Sequence, residues 1–426
     1  MPRPLPGPVG RWAEDWPFAL FLLTVVVSLF RARDLPEVEL GIGGTGVGLG
    51  PVDVLLLATA LLALRRLHRQ GRLRPPASVV AALAFAALLF ASALPNGPDA
   101  IVTAGKLAEF AALTLGAVAF LDSSGRLQAF LVVLVCFAAA AVGWGIVGFI
   151  GSDPGRQGSF MGEHDMAALG TLVAAVGLAR VHARDGYPGL LGAAGLVVGV
   201  IAAILGASLA SVIGIYLVSA AVLVTALRRG ELRRLGLVVT LAAALVATAG
   251  TLAMRHGELG FLQSWFGPPA ERPGEYAASW SQRLIYTYIG GRIFLDQPWL
   301  GTGWHGLLPP EEFAEYLPDA RDRFPDQPPR YFPPVDRDFI PQQTYDQVLF
   351  ELGLVGGALF FVLLALAAWR AAVATRRRGT DAAYVPPTWL AGMAGALAGA
   401  ALFGGAPLTA LFWLTLGVVA ADPERT

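Results

Sequence analysis

Twelve apolar stretches, each close to bilayer length, leave this chain few ways to fold. A helix needs about 20 mostly apolar residues to cross the hydrocarbon core, and inside lipid the backbone must satisfy its own hydrogen bonds, which favours helices. Runs of that kind fall at about 16–32, 49–65, 77–95, 100–121, 127–150, 165–182, 188–206, 209–227, 234–254, 345–369, 386–403 and 405–421. Only 15% of the 426 residues are charged and 55% are hydrophobic, against about 25% charged in a soluble domain. The expected fold class is therefore all-α, a polytopic membrane helix bundle of about twelve transmembrane helices. The first run has no small-residue cleavage site, so it reads as a retained span rather than a signal peptide.

One long polar segment, residues 255–344, interrupts this pattern and divides the chain. Residues 1–254 read as a bundle of about nine spans, 255–344 as one large extracytoplasmic loop, and 345–426 as about three further spans. The arginines fix the sides. With the N-terminus inside, the clusters at Arg65–Arg74, Arg126, Arg180–Arg184, Arg228–Arg234 and Arg370–Arg378 all fall on the cytoplasmic face. Both termini are then cytoplasmic, and the long loop and the shorter 151–164 loop lie outside. His68 and His182 fall in the cytoplasmic basic loops and read as solvated.

Several classes of function are excluded. Positive charge is scattered through short loops and not gathered on one face, which gives no nucleic-acid footprint. Cys136 is the only cysteine, so there is neither a disulfide framework nor a thiolate metal site. The histidines at 68, 164, 182, 256 and 305 make no metal-ligand spacing, and nucleotide loops and nucleophile elbows are absent. A site on the outer face has no ATP or nucleotide sugar, so transfer there needs a pre-activated, membrane-delivered donor.

Within the loop, residues 283–296 suit a helix, weakened by Gly290–Gly291. At 100° per residue, Ile285, Tyr288, Ile289 and Ile293 share a face with Arg292 in its middle, and Arg283 lies about 180° away. Two readings stand. The helix lies on the membrane with Arg292 snorkelling to headgroups, or its arginines hold a phosphate, which guanidinium groups bind in bidentate fashion. The stretch "ARDRFPDQPPRYFPPVDRD" holds too many prolines for a long helix and suits an extended lid. Lys106 and Glu109, at i and i+3 in the fourth apolar run, suit an ion pair or a contact to a lipid phosphate.

Three stretches together resemble the O-antigen ligase and O-antigen polymerase family. "RQGSFMGEHDMAALG", residues 156–170, is similar to the family's Arg-x-Gly-x-Phe followed by Asn-Pro-Asn and a small-residue helix start. Arg283, Pro298, Leu300, Gly301 and Gly303 match an Arg followed, fifteen positions on, by Pro and then Leu-Gly-x-Gly. Gln343, Gly353 and Gly356 match the frame of the family's His-Asn (or Ser, Gln) run ending in Gly-x-x-Gly. The resemblance implies a GT-C-like bundle in the bacterial inner membrane. It implies inverting, metal-independent transfer of a glycan from undecaprenyl diphosphate to a hydroxyl of a glycan, lipid A core or protein acceptor, with no cofactor. Cationic donors must meet the departing diphosphate, and a base must meet the attacking hydroxyl. The candidate catalytic residues are Arg283, Gln342, Asp346 and His164. The candidate substrate-binding residues are Arg156, Arg292, Lys106 and His305.

Three positions depart from the family pattern. Gln342 stands where the family has histidine, Gly162-Glu163-His164 where it has Asn-Pro-Asn, and Ser208–Leu209 where it has Ser-Arg. His164, His305 and Asp346 are the candidates for a replacement base. A lipid-linked glycan flippase and a non-catalytic assembly relative remain the alternative functions.

Overall fold

The computed structural model describes residues 8–31, 34–42, 45–71, 75–151, 155–183, 189–255, 277–305, 308–339, 341–376, 380–403 and 406–423. His256, Arg33, Arg72, Arg74, Arg184, Arg377 and Arg378 lie outside the described residues.

Each of the twelve apolar segments carries helix. In chain order the helices are α1 (Pro8–Val27), α2 (Pro51–Arg69), α3 (Ala77–Ala93), α4 (Gly97–Ala108), α5 (Ala111–Phe120) and α6 (Ser124–Gly151). They continue as α7 (Glu163–Ala183), α8 (Gly189–Gly206), α9 (Leu209–Arg229) and α10 (Arg234–Met254). The polar segment contributes α11 (Ala277–Asp296), α12 (Pro310–Phe313) and α13 (Leu317–Arg323). The chain closes with α14 (Thr344–Ala374), α15 (Thr380–Leu397) and α16 (Pro407–Ala420). A two-stranded antiparallel hairpin, β1 (Val38–Ile42) and β2 (Thr45–Leu49), joins α1 to α2 with Val38 opposite Leu49. Among the described residues, seven helical stretches are long and apolar enough to cross a membrane: residues 77–120 and helices α6, α7, α8, α9, α10 and α14. The protein is an all-α, multi-pass membrane protein.

The fourth apolar run is not one helix, as expected, but α4 and α5. Between them the ladder tightens: Ala112 N donates to Glu109 O (3.0 Å) and Leu113 N to Phe110 O (2.9 Å), three residues back and not four.

Two helices sit at the centre. Every residue of α7 from Met166 to His182 is buried, as is every residue of α16. Helix α7 lies directly against α8 because both carry small residues on the shared face. A Cβ on Gly170 would come within 2.7 Å of Gly199 O and Ala203 N. The depth of α7 corrects the expectation for His182. It is buried, and its Nε2 is 3.0 Å from Thr240 Oγ1. Arg180 is likewise buried. His68 is exposed, as expected.

The connections gather at two ends of the bundle. At one end Arg66 reaches Asp122 (2.7 Å), which Arg126 also holds (3.1 Å), and Tyr384 Oη donates to Glu231 (2.7 Å). At the other end Phe30 stacks on Phe160 with ring centroids 4.8 Å apart, and Gln157 N donates to Leu205 O (2.8 Å). The polar segment lies at this second end.

The segment builds its own small core. Ile285, Ile289 and Ile293 of α11 are fully buried with Leu308, Phe313, Leu317, Phe339 and Phe350 of α14, each such side chain contributing about 1.5–3 kcal/mol. The apolar face of α11 therefore covers the segment's own core and not a membrane surface. Gly290 has a packing reason, since a Cβ there would come within 2.7 Å of the Phe350 ring. The proline-rich stretch forms short helices and 3₁₀ turns, with Phe332 buried. It is a packed part of the segment.

Candidate functional site

Three arginines from distant parts of the sequence converge at the second end, and each meets a helix-end carbonyl. The last carbonyls of a helix have no intrahelical donor, and cations are favoured there. Helix α8 ends at Gly206 and α9 begins at Leu209, so the connection is only two residues long, with Ala207 at φ +45°. Arg156 Nε donates to Gly206 O (3.3 Å), and Arg255, at the end of α10, donates to Ala207 O (2.9 Å). Arg283, on α11, donates to Gly399 O just beyond α15 (3.1 Å) and to Gln342 O (3.3 Å). A guanidinium has five N–H donors, so holding a carbonyl does not exhaust it.

His164 sits among all three, feeling the charges of Arg156, Arg283 and Arg255. Its Nδ1 is 3.2 Å from Ser208 Oγ, and Ser208 is buried. Burial, and then the neighbouring charges of Arg255 and Arg156, push the Arg283 guanidinium below its usual pKa, with Asp346 opposing. It stays charged, as arginine does in proteins. Among the described residues, Glu163, 3.0 Å from Arg156, and Asp346, beside Arg283, are acidic partners of this cluster.

Local turns aim these groups. Residues 158–162 fold back before α7, with Gly162 N bonded to Gly158 O (2.8 Å), Ser159 at φ +52° and Gly162 at φ +116°. Arg31 pins the turn by donating to Met161 O (2.6 Å), and Asp165 accepts from Leu408 N (2.8 Å), capping α16. At the start of α14, Thr344 Oγ1 donates to Ala400 O (2.8 Å), and Gln347 exchanges bonds with the Leu402 backbone (3.0 and 3.3 Å). These hold the 399–402 loop where Arg283 meets it.

Asp346 accepts from Thr287 Oγ1 (2.8 Å) and Gln343 Nε2 (3.0 Å), and the Gln347 amide reaches its other oxygen (3.1 Å). Gln342 and Asp346, four residues apart, do not share a helix face. Helix α14 starts at Thr344, and Gln343 before it is extended, at φ −155°. Gln343 therefore reaches Asp346, while Gln342 offers Arg283 its backbone carbonyl.

The glycine motifs have a structural role. Helix α14 is interrupted at Gly353 (φ +61°, ψ −159°), which releases backbone groups on either side. Phe350 O and Glu351 O accept from Thr302 N (3.2 Å) and Gly303 N (2.8 Å), while Leu354 N and Val355 N donate to Pro298 O (2.7 Å) and Trp299 O (3.1 Å). A Cβ on Gly353 would come within 2.5 Å of the Trp299 carbonyl carbon. The Leu-Gly-x-Gly run and the Gly-x-x-Gly run are thus two halves of one backbone joint.

Of the expected site residues, the structure brings together Arg156, His164, Arg283, Asp346 and the Gln342 carbonyl. It places three elsewhere. Arg292 is half-exposed and pairs with Asp319 (3.1 Å), because nine helical residues turn it away from Arg283. His305 braces the backbone joint: its Nδ1 is 2.9 Å from Gly303 O and its amide donates to buried Glu351 (3.1 Å). Lys106 pairs with Asp53 of α2, and Asp53, not Lys106, is the hydrogen-bond partner of Glu109. Sequence reasoning placed Ser208 at the family's Ser-Arg position but missed Arg255 and Thr287. Leu209 stands where the family has arginine, and Arg255 delivers a guanidinium to Ala207 O, one residue away from Ser208.

Residues 194–361 match the O-antigen ligase family model. This stretch is similar to the O-antigen ligase family. It runs from α8 through α14, so it includes Ser208, Arg255, Arg283, the backbone joint and Asp346. Arg156 and His164 lie outside the matched stretch yet contact the same α8–α9 connection as its own Arg255. No curated protein matches the chain.

Proposed function

We propose that the protein is an inverting glycosyltransferase that moves a glycan from undecaprenyl diphosphate to an acceptor hydroxyl at the outer face of the bacterial inner membrane. The match of residues 194–361 to the O-antigen ligase family supports glycan transfer. The observation that carries the finer reading is the convergence of Arg156, Arg255 and Arg283 around the α8–α9 connection. Three guanidinium groups gathered in one partly buried site offer forked donors that match phosphate oxygens.

The acceptor oxygen attacks the anomeric carbon from the face opposite the leaving group. The carbon–oxygen bond to the diphosphate breaks, the electron pair leaves with undecaprenyl diphosphate, and the arginines stabilise the growing charge. The scheme asks for no metal. The hydroxyl proton passes to Asp346, which Thr287 and Gln343 hold in place. His164 would have to add a positive charge beside three cations, so its role is to position Ser208 and bind substrate.

Reconstitution with an undecaprenyl diphosphate-linked oligosaccharide and a glycan acceptor tests the reading. The expected result is transfer with inverted anomeric configuration, lost in Arg283→Ala at unchanged membrane insertion. Full transfer in Arg283→Ala refutes the role of the cluster. Movement of the donor across vesicles without transfer favours a flippase.

A further inference from the structure

A cavity of about 180 Å³ opens at the same end of the bundle between the residues after α1, the β-hairpin, α2 and the α4–α5 break. Among the described residues, carboxylates dominate its polar wall: Glu37, Asp53 and Glu109, against the ammonium of Lys106. Asp53 ties them together, accepting from the Gly50 amide and Lys106 and hydrogen-bonding Glu109. Phe30 and Phe110 supply an apolar wall.

Ser28 gives an independent sign of a ligand. It is only 2% exposed, it lines the cavity, and its Oγ has no hydrogen-bond partner among the described residues. Buried hydroxyls are almost always satisfied, and an unsatisfied one is a net cost. A lining of acceptors, one ammonium donor, a hydroxyl and aromatic surface suits a small ring bearing several hydroxyls. The surplus of carboxylates disfavours a diphosphate, which belongs with the arginines.

The cavity adjoins the arginine cluster through the residues after α1. Phe30 stacks on Phe160, and Arg31 donates to Met161 O, both in the segment that carries Arg156 and His164. We infer that this cavity receives one sugar ring of the acceptor, with Asp53, Glu109, Lys106 and Ser28 reading its hydroxyls. This rests on the glycan-transfer reading for its biological sense, although the binding itself does not require transfer.

Saturation-transfer NMR on the purified full-length protein, with single monosaccharides as probes and ethanolamine as a cation control, tests it. At least one monosaccharide should bind, and binding should weaken at least fivefold in Ser28→Ala and in Glu109→Gln. Since the Ser28 hydroxyl makes no bond to any described residue, Ser28→Ala should elute and melt like the native protein. Absence of monosaccharide binding, binding unchanged in both variants, or binding of ethanolamine alone overturns the inference. Binding without glycan transfer would sink only the proposed reaction, and transfer without binding would sink only this subsite.

Discussion

Arg283 spends donors on two carbonyls from different segments, Gln342 O and Gly399 O, so it orients the polar segment as well as carrying charge. Arg283→Lys keeps the charge but loses the fork, and should retain only a small fraction of transfer activity. Arg283→Ala should lose about 10²–10³-fold in kcat, the scale of removing one transition-state donor. Asp346→Asn keeps the shape and removes the proton acceptor. Its kcat should fall by about 10²–10⁴-fold, with little change in donor KM, as steady-state kinetics would show. An unchanged kcat would pass the base to another group. Arg156, His164, Arg283 and Asp346 were legible because each stands at or near a recognisable spacing. Arg255 was not, because a lone arginine after an apolar run resembles any flanking charge. Only the fold brings it beside Ser208.

Helix α14 and the Pro298–Gly303 turn exchange four backbone hydrogen bonds across the Gly353 interruption. Gly353→Ala places a side chain at φ +61° and against the Trp299 backbone. It should destabilise the protein by about 1–3 kcal/mol or more, read as a lower Tm, and should reduce transfer although no substrate contact changes. A native Tm in that variant would show that the joint is not needed. The sequence displayed both glycine motifs but not their partnership, because hydrogen bonds between segments leave no periodic trace. The α4–α5 break was hidden for a similar reason: the charged residues of 100–121 are Lys106 and Glu109, whose partner Asp53 lies on another helix.

At the scale of the whole molecule, apolar run length and the arginine pattern already indicated an all-α bundle whose connections alternate between two ends. What they left open was depth: α7 looked like any other span, yet it is enclosed, and His182 and Arg180 with it. The two ends differ in chemistry. At the end away from the candidate site, Asp122 ties α2 to α6 through Arg66 and Arg126. Burial alone would raise its pKa, but Arg66 and Arg126 outweigh that and hold it below the ordinary 3.8. A depressed folded-state pKa stabilises the fold above the ordinary value, and that stability is lost as pH falls through the folded value. The Tm of the native protein should therefore fall more steeply below pH 3.8 than that of Asp122→Asn. Parallel melting curves would remove Asp122 from the linkage. At the opposite end, the cluster of Arg156, Arg255 and Arg283 should hold a prenyl diphosphate. Calorimetric titration of the purified protein with a short-chain prenyl diphosphate tests this without any transfer step. Saturable binding should weaken at least tenfold in each of Arg156→Ala, Arg255→Ala and Arg283→Ala, whereas equal affinity in all three variants would contradict a diphosphate site at this cluster.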